Sequence, residues 1–160
     1  MKLNFSMWVS CWALIGLTVA SSESEVPAWS AKPDREITIS MVPAKMAYDT
    51  TLLRVRPGEK VKLNLKNPDD LEHNLVLIQN DPKDPQGERF AAKCIELGAQ
   101  GPKLAWTPDS PRVLARSGMV GPKKELEMFF EAPKEPGNYL YLCTFPGHSN
   151  LMRGTLKVGS

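Results

Sequence analysis

Three side chains able to bind a soft metal fall close together near the C-terminus, in Cys143-Thr144-Phe145-Pro146-Gly147-His148-Ser149-Asn150-Leu151-Met152. The order Cys-x4-His-x3-Met supplies a thiolate, an imidazole and a thioether. Thiolate and thioether sulfurs stabilise Cu(I), imidazole nitrogen accepts Cu(II), and a site holding both can pass one electron. The set lacks a second imidazole, and the chain has two histidines, of which His73 is the other.

Around one ion, His73, Cys143 and His148 would form a trigonal plane with Met152 as a weak axial donor, a ligand set suited to copper electron transfer. Each member also has an ordinary structural reading. A histidine near a strand is commonly structural, a methionine commonly fills core, and Cys143 could pair with Cys94 in an oxidising compartment. Pairing would consume the thiolate, so disulfide and metal site exclude each other; the surroundings of Cys94 suit a helix face, which leaves it a buried free thiol. Structural zinc prefers closed sets of Cys and His and makes poor use of a thioether. A nucleophilic Cys143 with His148 as base leaves Met152 idle and shows no oxyanion donors. A copper enzyme would need further ligands or an open position, and there is no Cys-x-x-Cys-His for haem.

Such a site requires strands to carry its loops. Ile37, Ile39 and Met41 alternate with polar residues, as do Val61, Leu63 and Leu65 against Lys60, Lys62, Asn64 and Lys66, the period of half-buried strands. Leu52–Val55, His73–Ile78, Arg112–Arg116, Leu126–Phe130, Tyr139–Leu142 and Gly154–Val158 also read as strands. Arg56-Pro57-Gly58-Glu59, Asn67-Pro68-Asp69-Asp70, Gly121-Pro122-Lys123-Lys124 and Pro136-Gly137 read as turns. Gln86–Leu97 breaks the rhythm, with Phe90, Cys94 and Leu97 at helical spacing and Gly98 as the stop. Seven or eight short strands with one helical excursion predict an all-β sandwich. The last loop lies between two strands and His73 begins another, so one end of the sandwich can present all the donors.

The 160 residues suit one domain with a core that needs no disulfide, and 14 scattered prolines fit short strands. The formal charge of +2, with Lys2 the one charge in the leader, argues against a nucleic-acid groove. Residues 1–20 read as an export signal: Lys2, an apolar run from Trp8 to Val19 too short to span a bilayer, then Thr18-Val19-Ala20 at the cleavage end. Residues 21–35, rich in Ser, Glu and Pro, read as a flexible lead-in, and residues 36–160 as the domain. The expected location is periplasmic or secreted, without stable membrane insertion once the signal is cleaved.

The ligand loop Cys143-Thr144-Phe145-Pro146-Gly147-His148-Ser149, with Leu151-Met152 and Gly154-Thr155-Leu156, resembles the cupredoxins, the type 1 blue-copper family of azurins and plastocyanins. So do His73-Asn74-Leu75-Val76-Leu77 and the stretch Pro108–Ala115, and the similarity runs from about Glu36 to Val158. The resemblance implies a Greek-key sandwich holding one copper ion, with His73, Cys143 and His148 equatorial and Met152 axial. It implies that Asn74 ties the two ligand segments together and that the amides of Asn74 and Phe145 donate to the Cys143 sulfur. His148 would be the solvent-edge ligand, within an apolar docking patch of Leu71, Phe145, Gly147 and Leu151. Glu72 and Asn150 depart from the azurin pattern, and Asn150 makes the patch more polar. The expected function is single-electron shuttling between redox proteins such as cytochromes or copper and haem oxidoreductases, without catalysis. The alternative is a copper carrier or storage protein that delivers metal.

Overall fold

The computed structural model describes residues 26–159. The proposed signal, 1–20, and the first part of the lead-in lie outside the described residues. Nine strands form among the described residues: β1 Arg35–Val42, β2 Ala47–Tyr48, β3 Leu52–Val55, β4 Lys60–Asn67, β5 Val76–Ile78, β6 Val113–Arg116, β7 Lys124–Glu131, β8 Gly137–Leu142 and β9 Arg153–Val158. They make two facing sheets, β2-β1-β4-β7 and β3-β9-β8-β5-β6. The expected all-β sandwich is therefore present. The strand beyond the expected seven or eight is β2, whose two residues are too few to show a period.

Alternation decides which side of each strand faces in. In β4, Val61, Leu63 and Leu65 are fully buried while Lys62 and Lys66 point outward. Each such buried aliphatic contributes ~1.5–3 kcal/mol, more than the ~1 kcal/mol span of strand propensity, so Lys and Asn between them are tolerated. β4 pairs in parallel with β1 and antiparallel with β7. Across the sandwich, Leu75, Leu77, Tyr139, Tyr141 and Leu156 complete the same core.

The alternate residues Val76, Ile78 and Leu142 face away from that core and meet Phe90, Ala91 and Cys94 of the single helix, α1 Glu88–Glu96. The helix starts after Gly87, whose φ of 69° lies in the left-handed region. Asp84 closes the first turn by accepting the amides of Arg89 (3.1 Å) and Phe90 (3.2 Å), and Arg112 Nη1 donates to it at 2.6 Å. Cys94 and Cys143 thus belong to different clusters, and both are free thiols. That disposes of the disulfide alternative. Two 3-10 turns, Gly98–Gln100 and Pro102–Leu104, follow the helix within the stretch expected as helix stop and loop. Within the lead-in, Trp29 lies edge-on to Phe129 of β7, with ring centroids 5.9 Å apart. No helix of the described residues is long and apolar enough to cross a membrane.

Candidate metal centre

The loop from Cys143 to Met152 joins β8 to β9 and is closed at its neck by the Cys143 amide donating to the Met152 carbonyl at 2.9 Å. Inside it the His148 amide donates to Phe145 O (3.0 Å) and the Met152 amide to His148 O (2.9 Å), so the loop is two successive turns. Gly147, exposed and at φ 86°, supplies the left-handed residue this path requires. Arg153 Nε donates to Ser149 O at 2.8 Å and Nη1 to Gln86 O at 2.9 Å, which ties the loop to the base of the helical excursion.

His73 enters from the other segment. It does not begin β5, as its apolar neighbours suggested; it forms an isolated bridge with Val120, and the strand starts at Val76. The ladder gives way because side chains substitute for it. The Leu75 amide donates to Ser117 Oγ at 2.9 Å. Asn74 Nδ2 donates to Thr144 Oγ1 and to Ala105 O, both at 2.7 Å, while its Oδ1 accepts the Thr144 amide at 2.8 Å. Asn74 therefore ties the two donor segments together and holds the Ala105 loop against them.

One donor atom each from His73, Cys143 and His148 lies within 4.8 Å of the other two, and all three residues are buried. Cys143 Sγ is 3.7 Å from His148 Nδ1, and the imidazole centroids are 5.0 Å apart. His73 Nε2 is 3.0 Å from Asp69 Oδ2, whereas His73 Nδ1 is buried with no hydrogen-bond partner, alone in this among the side-chain nitrogens and oxygens of the described residues. An unsatisfied buried nitrogen is costly and is accounted for if it is a donor to an ion. Burial pushes the Cys143 thiol up to about 11, with the backbone amides of Asn74 and Phe145 pulling the other way. Burial, and then the neighbouring His73, lower His148, with Asp69 partly opposing. Burial raises Asp69, but the amides of Asp70 and Ala44 and the His73 ring outweigh it and hold the carboxyl below its ordinary range.

Met152 is fully buried in the same apolar cluster as Cys143. Leu71 and Leu151 are 48% and 65% exposed, Gly147 is exposed, and Phe145 is half-buried with its ring 4.9 Å from that of His148. No pattern in the sequence marks Asp69, Tyr48 or Trp106 as part of the site. Tyr48 donates from its hydroxyl to Asn74 O at 2.6 Å, and Trp106 stands edge-on to Phe145 at 6.1 Å.

Thiolate and two imidazoles, converging from two loops of a sandwich, suit copper. Residues 35–159 match the family of copper binding proteins described as plastocyanin/azurin. The chain belongs to that family. Auracyanin-A of Chloroflexus aurantiacus is 35% identical over 117 residues, 71% of this chain and 68% of the relative. Azurin of Pseudomonas aeruginosa is 30% identical over 120 residues, 71% of this chain and 78% of the relative. The solved structure of auracyanin A, titled a "blue" copper protein, superposes with a TM-score of 0.70 at 31% identity, covering 78% of this chain and 98% of that one. The sandwich is thus the cupredoxin fold, copper is the cofactor of the family, and the His73–Cys143–His148 cluster is a possible place for it.

Proposed function

We propose that this cupredoxin is an exported single-electron carrier, with His73, Cys143 and His148 as the strong copper ligands and Met152 as the weak axial one. Bound copper supplies a one-electron couple; the protein supplies a rigid set of donors. Asn74 and the closed neck of the Cys143–Met152 loop hold those donors whatever the charge of the ion, and little rearrangement favours fast exchange. The amides of Asn74 and Phe145 reach the sulfur, the place where hydrogen bonds tune a copper–thiolate potential. Leu71, Phe145, Gly147 and Leu151 form a small apolar rim at the same end, suited to brief docking of redox proteins over less than about 1,200 Å². Export rests on residues 1–20 as a leader.

The observation that carries this reading is three donors of the required types within 4.8 Å of one another, all buried. Burial also supports it over metal delivery: His148, the ligand expected at the solvent edge, is 4% exposed, which favours retention over hand-over. The test is the visible spectrum of the purified protein with Cu(II). An intense thiolate-to-copper band is expected, reversible redox cycling should release no copper, and Cys143→Ser should abolish the colour. A colourless wild type, or the same band in the serine variant, refutes the assignment. Ready loss of copper to a competing chelator on reduction would favour delivery instead.

A further inference from the structure

Asp69 sits in the turn Asn67–Asp70, where composition alone explains an aspartate. Its side chain is nevertheless turned inward, and the residue is 5% exposed. Oδ1 accepts the amides of Ala44 (3.2 Å) and Asp70 (2.8 Å), and Oδ2 lies 3.0 Å from His73 Nε2. Its own amide donates to Asn67 Oδ1 at 3.0 Å, and Asn67 Nδ2 donates to the carbonyls of Leu71 (2.7 Å), Val120 (2.8 Å) and Gly121 (3.1 Å). The carboxylate is thus fixed by the end of β4, the β1–β2 turn and, through Asn67, the Val120–Gly121 segment that bridges to His73.

A carboxylate receiving several N–H bonds stays ionised and can only accept. In the neutral ring, the proton of His73 must then reside on Nε2, which leaves the lone pair on Nδ1, the buried nitrogen without a partner. The carboxylate also adds a negative charge beside the site. With the Cys143 thiolate it neutralises a divalent ion, whereas a monovalent ion leaves the group net negative in a buried place, where unbalanced charge is penalised.

We propose that Asp69 is a positioning residue for His73: it fixes the ring with Nδ1 facing the metal, and its charge favours the oxidised over the reduced ion. This rests on the copper reading above. An Asn at 69 keeps the shape but not the charge, and its single oxygen cannot serve both the Ala44 and Asp70 amides and the His73 ring.

The experiment compares wild type, Asp69→Asn and Asp69→Ala. In copper-free protein, long-range ¹H–¹⁵N spectra of the two imidazoles should show His73 purely as the Nε2–H tautomer in wild type and mixed in both variants. An unchanged pure tautomer in both variants overturns the positioning role. In copper-loaded protein, Asp69→Asn should bind Cu(II) about 10–100-fold more weakly. The ratio of Cu(II) to Cu(I) affinity should fall about tenfold, a rise in potential of about 59 mV for one electron. An unchanged or lowered potential overturns the electrostatic role. Should Asp69→Ala not fold, Asp69→Asn alone decides both points. A wild type that forms no blue site defeats the electron-carrier reading and the electrostatic role with it, while the tautomer experiment still decides the positioning role. The two failures are therefore distinguishable.

Discussion

Asn74 shows how one side chain can decide whether two loops make a site. It is fully buried, and its amide group uses both donors and its acceptor on Thr144 and Ala105. Asn74→Leu keeps the branched shape but strands the Thr144 amide, and leaves the Thr144 hydroxyl and the Ala105 carbonyl only their longer contacts with Thr107 Oγ1 (3.4 and 3.2 Å). Leaving a buried polar group unpaired costs ~1–3 kcal/mol; because Thr107 still serves the hydroxyl and the carbonyl, a total loss of about 3 kcal/mol in urea unfolding is expected, together with weaker copper retention. Unchanged stability would mean that the two segments are held by packing alone. The donors themselves were legible because Cys-x4-His-x3-Met states its chemistry locally, and His73 was the one remaining histidine to complete the set. Asp69 was not legible. Whether a turn residue points to solvent or inward depends on Asn67 and on strands distant in sequence, and no period records that.

At the scale of elements, the excursion between β5 and β6 performs two tasks. Its helix covers Val76, Ile78 and Leu142, and its tail brings Trp106 against Phe145. Ala105 and Trp106 both have positive φ, at 48° and 54°, a conformation that costs a non-glycine residue about 1–3 kcal/mol when the backbone is held there. Gly101 makes it possible: a Cβ there would overlap the six-membered ring of Trp106. Gly101→Ala should push the indole outward, lower stability by about 1–3 kcal/mol and shift the tryptophan emission to the red. An unaltered spectrum and melting curve would show that the ring is not seated against Gly101. The helix was readable from Phe90 and Cys94 at helical spacing. The 3-10 turns were not, since three residues carry no period, and β2 escaped for the same reason although it brings Tyr48 to Asn74.

Over the whole molecule, alternation revealed which residues face the core but not which strands are neighbours. The parallel pairings β1 with β4 and β3 with β9 depend on where the chain crosses between sheets, and a residue's inward face is the same for either neighbour. This topology puts the two ends of β4 to different uses. Its C-terminal end leads into Asn67, Asp69 and His73, whereas its N-terminal end follows Glu59, a nearly buried carboxylate clasped by Arg35 (Nε–Oε1 3.1 Å) and Arg56 (Nη2–Oε1 3.1 Å). Burial pushes Glu59 upward, but the Arg56 amide and the two guanidinium groups outweigh it, so its pKa is lowered on folding. A carboxyl with a lowered folded pKa contributes stability above its unfolded value, about 4.3, and that contribution is lost as pH falls through the folded value. Asp84, lowered by Arg112 and the Arg89 and Phe90 amides against the effect of burial, adds to the same acid limb. Glu59→Gln should therefore be less stable than wild type at pH 7, and the difference should shrink as the pH falls from about 5 towards 3, because the wild type loses its advantage there. An eight-residue strand separates Glu59 from the metal end, so the visible spectrum of copper-loaded protein should not change. Denaturant titrations across that pH range, read beside the spectrum, check both halves. A stability gap that stays constant down to pH 3 would remove Glu59 from the acid response, and an altered colour would show that the two ends of the sandwich are coupled.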